Sequence, residues 1–526
     1  MSTIDRETRW NSSAVVTDSA TGRRPVRSTS TRPVATVPSL VRSLVRGRHL
    51  DFAVMDDMPA PHPASDARLA QTYAEVEDAL LSRWPETRLD PTLDRIETFM
   101  ELLGDPQRTY PVIHLTGTNG KTSTARMIET LIVSIGLRVG RFTSPHLESM
   151  TERISLDGEP LSEAAFVTAF NDVAPYTHLV DAEHSHPLSF FETIVAMAYA
   201  AFADAPVDAA VVEVGMGGTW DATNVMDAQV AVLTPVAVDH AKYLGETPSV
   251  IALEKVGIIK SGTTVVSAVQ AAEVDEVIRA RCTEVGATLA REGLEFGVTS
   301  RMPAVGGQMI GLQGLRGHYE EVFLPLYGAH QAQNASLALA AVETFLGGDD
   351  ALDAGLVREA FAEVTSPGRL EIIRRSPTIV LDAAHNPHGA AAVVAALEDS
   401  FRFSPLIGVM GVMADKDYEG LLSELEPVLA HVVCTQNSTS RSMPAHELAE
   451  VALGIFGQDR VSETSSLADA LDQAAALAEA GGAFGDAIGS GGVLVTGSVV
   501  TVGEARAMLR SRRNADGSRS QEQEQR

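Results

Sequence analysis

The sequence predicts an α/β protein with parallel sheets, arranged as two modules in series. Three observations predict it. Short apolar runs at Val112–Leu115, Arg138–Phe142, Ala209–Val214 and Val230–Leu233 alternate with stretches of helical spacing, the pattern that gives parallel strands joined by helices. The alternation resumes at Thr378–Leu381, Leu406–Met410, His431–Cys434 and Gly492–Val495. Between the two series lies Gly347-Gly348-Asp349-Asp350, a strong turn and linker signal. We therefore divide the chain into a disordered extension (1–65), a nucleotide-binding module (66–348), a linker region (349–366), a smaller α/β module (367–512) and a disordered tail (513–526).

Residues 1–65 are rich in Arg, Ser, Thr and Pro and show no sustained hydrophobic period, which is why they read as disordered. From Asp66 the spacing of Leu69, Tyr73, Val76 and Leu80 is helical, and Asp90-Pro91-Thr92-Leu93 leads into a second helix through Met100 and Leu103. Leu188–Phe202 is apolar enough to be a helix packed on a sheet, and Glu192 inside it is costly to bury without a partner. Residues 263–327 read as short strands alternating with turns, after which Ala329 opens a long alanine-rich helix.

Composition narrows the function. The 526 residues carry 41 basic and 69 acidic groups, a net charge of −28, which argues against general binding to nucleic acid or to a membrane surface. No apolar run approaches the length of a membrane span, and the two cysteines, Cys282 and Cys434, suit a reducing cytosol. Only five lysines occur: Lys121, Lys242, Lys255, Lys260 and Lys416. Arginine supplies the remaining cations, so these positions are where a compact ammonium, or an amine able to lose its proton, is required.

The chemistry centres on Pro111–Ser123, PVIHLTGTNGKTS. A strand breaks into Gly117-Thr118-Asn119-Gly120-Lys121-Thr122 and a helix follows. Glycines let backbone N–H groups approach a phosphate, and the helix N-terminus adds its positive end. Lys121 reaches terminal phosphates, and Thr122 or Ser123 offers a hydroxyl to Mg²⁺. The usual spacing wants glycine at 115, where this chain has Leu115, so the loop is a tighter variant. Ser144, Glu213 and His240 each lie at or after the end of a separate strand, the edge at which open α/β sheets bind ligands. Oxygen and imidazole groups there fit Mg²⁺ held by few protein ligands plus phosphates. Lys255 sits among apolar neighbours; burial favours its neutral amine, which could add CO₂ to give a carbamate. The alternatives are a snorkelling lysine or an ion pair with Glu254 or Asp239.

These residues resemble a known family. The segments Gly117–Thr122, Thr143-Ser144-Pro145-His146, Glu213-Val214-Gly215 through Asp221-Ala222-Thr223-Asn224, Asp239-His240, Glu254-Lys255, His330-Gln331 with Asn334, Pro367-Gly368-Arg369, and Asp382 with His385-Asn386-Pro387 look like the bifunctional dihydrofolate synthase/folylpolyglutamate synthases of the Mur ligase superfamily. The likeness runs from about residue 66 to 512. It implies a P-loop, Mur-ligase-like central ATPase domain and a Rossmann-like C-terminal domain of the glutamate ligase type. It also implies an ATP-dependent amide ligase that activates a pteroate or folate carboxylate as an acyl phosphate and joins it to L-glutamate. By the same resemblance, Ser144, Glu213 and His240 with Thr122 match magnesium ligands, and Lys255 matches a carbamylated lysine. Gly117, Thr118, Asn119, Gly120, Lys121, Thr122, Ser123, Asn334, Arg369 and Asp382 match ATP contacts. Phe190, Phe191, Glu192, Asp221 and Ala222, with Pro91, Thr92 and Leu93, match the pterin pocket, and His385 and Ser498 match contacts for glutamate or phosphate. Lys121, Lys255 and His385 are the residues to which it gives catalytic roles.

Three features depart from the family pattern: Thr219-Trp220 in place of a basic and an aliphatic residue, Ala383 in place of glycine, and the arginine-rich extension. A peptidoglycan-type ligase acting on a UDP-muramoyl substrate is the rival reading. It needs a further folded domain ahead of the loop, where about 40 residues expected to be ordered leave too little chain. The expected partners are ATP, dihydropteroate or folates, and L-glutamate, with no nucleic acid and no membrane, in a cytoplasmic monomer.

Overall fold

Val112–Thr116 forms β1, buried at every residue, as a strand covered on both faces must be. The structure, a computed structural model, describes residues 69–85, 90–480 and 491–524; the extension 1–65 lies outside them. Beside β1 stand β2 (Val139–Phe142), β5 (Ala209–Glu213), β6 (Val230–Leu233), β7 (Thr264–Ser267) and β8 (Thr288–Arg291), all parallel. Two short antiparallel strands, β3 (Ile154–Leu156) and β4 (Glu159–Pro160), finish one edge, giving the order β4-β3-β2-β5-β1-β6-β7-β8.

The alternation of side chains along these strands separates two cores. Ile113, Leu115 and Val211 meet the helices Lys121–Ser134 and Ala329–Leu346 on one face. Val112, Ala210 and Val212 meet the helix Phe190–Asp204 on the other. Glu192 opens that helix in a capping box with Ser189 and takes the Arg95 guanidinium at 3.0 Å, which supplies the partner its burial requires.

The stretch 263–327 differs from its expected reading. A helix, Ala272–Val285, joins β7 to β8, and only beyond it comes the antiparallel meander β9 (Gly297–Ala304), β10 (Gly307–Gln313) and β11 (His318–Leu324). The helix buries only Val274, Ile278 and Cys282, one residue per turn. So thin an apolar stripe among charged residues left a weak period in the sequence.

The second sheet runs β12 (Glu371–Arg375), β13 (Thr378–Leu381), β17 (Gly492–Thr496), β14 (Leu406–Met410), β15 (His431–Cys434) and β16 (Val461–Glu463). Every pair is parallel except β12 with β13. The final helix is Val499–Glu524, so helix runs through most of the 513–526 stretch that composition reads as disordered. Ala67–Arg526 forms one unit, within which the two sheets mark two lobes; the expected linker 349–366 carries a helix, Ala354–Ala362, whose Val357, Ala360 and Phe361 are buried in the first lobe's core, so we place the boundary after Val364. Among the described residues no helix is long and apolar enough to cross a membrane.

A buried ion pair ties β2 and β3 to the helix that follows the phosphate loop. Arg141 on β2, fully buried, donates from Nε to Glu129 Oε2 at 2.6 Å and from Nη1 to Thr143 Oγ1 at 2.9 Å. Ser155 donates to the other Glu129 oxygen. Removing one partner of such a pair strands the other charge in the interior, so Arg141→Met is expected to lose about 3–5 kcal/mol in urea unfolding, and a loss below about 1 kcal/mol would show the pair to be dispensable.

Candidate active site

β1 ends at Thr116 and the Lys121–Ser134 helix begins after Gly120. The turn between them needs its glycines. Gly117 and Gly120 both adopt positive φ, and a Cβ on Gly117 would lie 1.9 Å from Thr234 Oγ1. A Cβ on Gly120 would lie 2.7 Å from Asn334 Oδ1. Gly120 caps the helix without a side chain, which leaves the first amides free for an anion. Leu115, where the usual motif has glycine, is a buried strand residue paired with Glu213 and Val232, so the bend starts at Gly117.

The loop opens into a cleft of about 550 Å³ formed by both lobes. Gly117 through Ser123, Ser144, Glu213, His240, Lys255 and Asn334 line it from the first lobe; Arg369, Asp382 and His385 line it from the second. Lys121 Nζ folds back onto the carbonyls of Gly117 and Thr118, both at 3.2 Å. Glu213 is almost fully buried and accepts Thr122 Oγ1 at 3.0 and 3.1 Å. Burial raises its pKa, against the pull of Lys121 and the Thr122 hydrogen bond. A buried carboxylate beside a loop threonine, with no cation in direct contact, fits an oxygen-seeking divalent ion. Among the described residues no three His, Cys, Asp or Glu side chains gather to hold a metal, so such an ion would need hydroxyls and phosphate among its ligands. Asp382, also buried, accepts the N–H groups of Leu370 and Ala384.

Lys255 is 4% exposed and donates to the Gly117 carbonyl at 2.8 Å, so it neither snorkels nor pairs with Glu254 or Asp239. Burial, then the Lys121 charge, lowers its pKa to about 7. It therefore touches the phosphate loop as an amine able to shed its proton near neutral pH.

The lobes meet on Asp239. Its buried carboxylate accepts Lys416 Nζ at 2.6 Å and Asn386 Nδ2 at 3.1 Å, and His385 Nε2 lies 3.4 Å away. Burial opposes the charge, but the His385 hydrogen bond and the Lys416 ammonium overcome it, so the carboxyl is held far below the usual range. Asn386 and Asn119 exchange amide hydrogen bonds at 3.0 and 3.1 Å, fastening the phosphate loop itself to the second lobe. His240 stands beside this group with Nε2 3.2 Å from Lys416 Nζ; burial, then Lys416, lowers its pKa to about 4.

The residues matched to a pterin pocket sit behind the cleft wall. Asp221 accepts Met216 N–H at 2.9 Å and Thr223 N–H at 3.0 Å, shaping the Gly215–Gly217 turn. Phe191 packs against Gly215, where a Cβ would fall 2.4 Å from its ring, and Arg153 stacks on Phe190 at 4.9 Å. Ala222 is buried, and Glu192 is engaged with Arg95. Thr92 Oγ1 accepts Asp94 N–H at 3.1 Å, between Pro91 and Leu93, where the next helix begins. None of Pro91, Thr92, Leu93, Phe190, Phe191, Glu192, Asp221 or Ala222 lines the cleft. Ser498 does not line it either: it is buried and accepts Val500 N–H, although Val499 beside it reaches the cleft.

Sequence reasoning gave no role to Asn386 or Lys416, although the scarcity of lysine had singled out Lys416, and it offered Asp239 only as an alternative ion-pair partner for Lys255. It also passed over Arg126, which looks like an ordinary helix arginine and lines the cleft.

A phosphate loop at the edge of a parallel sheet, closed by a second α/β lobe, defines a class. The chain matches the Mur ligase middle domain over residues 115–342 and the Mur ligase, glutamate ligase domain over 368–499; it is an ATP-dependent ligase of the Mur type. It is 49% identical over 468 residues to the dihydrofolate synthase/folylpolyglutamate synthase of Mycobacterium tuberculosis, covering 85% of this chain and 95% of that protein. The M. tuberculosis folylpolyglutamate synthase complexed with ADP superposes with a TM-score of 0.80 at 50% identity, covering 83% of this chain and 98% of the other. The Escherichia coli relative in complex with DHPP and ADP superposes at 0.72 and 30% identity, covering 85% and 100%. The chain belongs to the dihydrofolate synthase/folylpolyglutamate synthase family.

The buried amine gives a direct readout. In a pH series of acetic anhydride labelling read by mass spectrometry, Lys255 is expected to reach half-maximal reactivity near pH 7 in the folded chain and near 10.5 in urea. Equal midpoints in the two states would show that burial does not favour the neutral amine.

Proposed function

We propose that the protein joins L-glutamate, by an amide bond, to dihydropteroate and to the γ-carboxyl of tetrahydrofolates at the cost of ATP. One observation carries the reading: the Gly117–Thr122 loop faces, across a single cleft, Arg369, Asp382 and His385 of the other lobe. A carboxylate is a poor electrophile and must be activated before an amine can displace oxygen from it. In the reading proposed, a substrate carboxylate oxygen attacks the γ-phosphorus, the bond to the β,γ-bridging oxygen breaks, and ADP leaves. The glutamate amine then bonds to the acyl carbon, the carbon–oxygen bond to phosphate breaks, and phosphate and a proton depart.

The loop amides and Lys121 hold the triphosphate, with Thr118, Asn119 and Ser123 shaping the turn and Asn334, Arg369 and Asp382 around the nucleotide. Mg²⁺ at Glu213, Thr122, Ser144 and His240 would neutralise phosphate charge. Lys255 would present a carbamate there: its neutral nitrogen bonds to CO₂ and releases a proton, turning a cation beneath the loop into an anion. His385 contacts glutamate or the transferred phosphate. The pterin end would lie against the Gly215–Gly217 turn, which Asp221 and Phe191 hold from behind, with Phe190, Glu192, Ala222 and Pro91–Leu93 in the layer beneath. The negative net charge supports an enzyme of small molecules rather than a binder of nucleic acid or membrane surface; we take it to be cytoplasmic and monomeric.

The decisive assay is ADP release with dihydropteroate and with tetrahydrofolate side by side. Release is expected to require glutamate; release only with a UDP-muramoyl substrate would overturn the reading. Lys255→Arg keeps the charge and cannot form the carbamate, so its turnover is expected to fall at least about 100-fold, the scale of losing one preorganised charge in an active site. Turnover like the wild type in that variant would remove the carbamate from the mechanism.

A further inference from the structure

Arg126 lies one helical turn beyond Thr122 on the same face of the Lys121–Ser134 helix, and it lines the cleft with Ser144, Pro145 and Arg369. Among the described residues its guanidinium has no hydrogen-bond or ion-pair partner. The nearby carboxylates are already committed. Glu129 accepts Arg141 and Ser155. Glu152 accepts the N–H groups of Leu147, Glu148 and Ser149 at 2.8, 3.0 and 3.1 Å. Burial, then Arg141, lowers the Arg126 pKa to about 10, and Glu129 and Glu152 do not offset the loss. At neutral pH the group is still charged, and it is held in a wall where an unmatched charge is costly.

Its fork of donors matches a carboxylate. The triphosphate is gripped at the N-terminal end of the same helix, while Arg126 sits where the two lobes touch. Ser123, one turn back, meets Ser366 at 3.0 Å, and Leu147 is packed so closely on Gly503 that a Cβ there would lie 1.9 Å from its carbonyl oxygen. Val499, the first residue of the final helix, lines the same cleft. In an amide ligase the amine attacks the face of the acyl carbon while the phosphate is still attached, so the amino acid must be held beside the phosphate, within reach of this junction, with its acidic groups still ionised. We propose that Arg126 receives a carboxylate of the incoming L-glutamate and so positions its amine, an assignment that rests on the ligase reading above.

The test is steady-state kinetics of the full chain, varying ATP, tetrahydrofolate and glutamate in turn. Arg126→Gln is expected to raise the KM for glutamate about tenfold or more, as for the loss of a charge-assisted hydrogen bond. The KM values for ATP and folate are expected to stay within about twofold. An unchanged KM for glutamate, or a rise in KM for ATP or folate in its place, overturns the assignment. Arg126→Lys keeps the charge without the fork and serves if the glutamine variant fails to fold; a smaller rise in the same single constant is expected, and its absence also overturns the assignment. A wild-type protein without glutamate-dependent ADP release would sink the ligase reading itself, which the variants leave untouched.

Discussion

The arrangement depends on one buried carboxylate. Asp239, at the end of the segment that follows β6, draws Lys416, Asn386 and His385 from the other lobe into contact. Without an anion there, the second lobe would bring an ammonium and a polar amide into the interface with nothing to receive them, at the cost of burying unmatched polar groups. With it, the two sheets are held so that their ligand-binding edges face one another. The Asn119–Asn386 exchange extends the same contact to the phosphate loop.

Charge is placed sparingly. The chain is strongly acidic overall, yet its cleft carries Lys121, Arg126, Lys255 and Arg369. Three of these four are handled differently. Lys121 rests on loop carbonyls, Lys255 is pushed toward neutrality by burial, and Arg126 faces the open space of the cleft. A surface that repels anions in general thus confines its attraction to a cleft of about 550 Å³.

The parallel strands were legible because strands covered on both faces must be apolar throughout, and short runs such as Val230–Leu233 state this without ambiguity. The phosphate loop was legible because phosphate binding by backbone imposes glycines at fixed spacing. The Ala272–Val285 helix was not, since its buried stripe is one residue per turn. Neither was β12, an edge strand whose Glu371 and Arg374–Arg375 carry no apolar alternation. The expected pterin residues show a further limit: motif position singled out Asp221 and Phe191, while packing set them behind the Gly215–Gly217 turn and off the cleft surface.

By itself, the sequence determined the class of fold, the phosphate-binding turn and the family, because each rests on local rules: residue periodicity, glycine conformation and short motifs. Only the tertiary structure decided which polar residues act together. The Asp239 hub joins positions 147 and 177 residues apart in the chain. The isolation of Arg126 follows from its neighbours being occupied by other donors. Hydrogen-bond partners are assigned by distance in space, and no one-dimensional pattern records them.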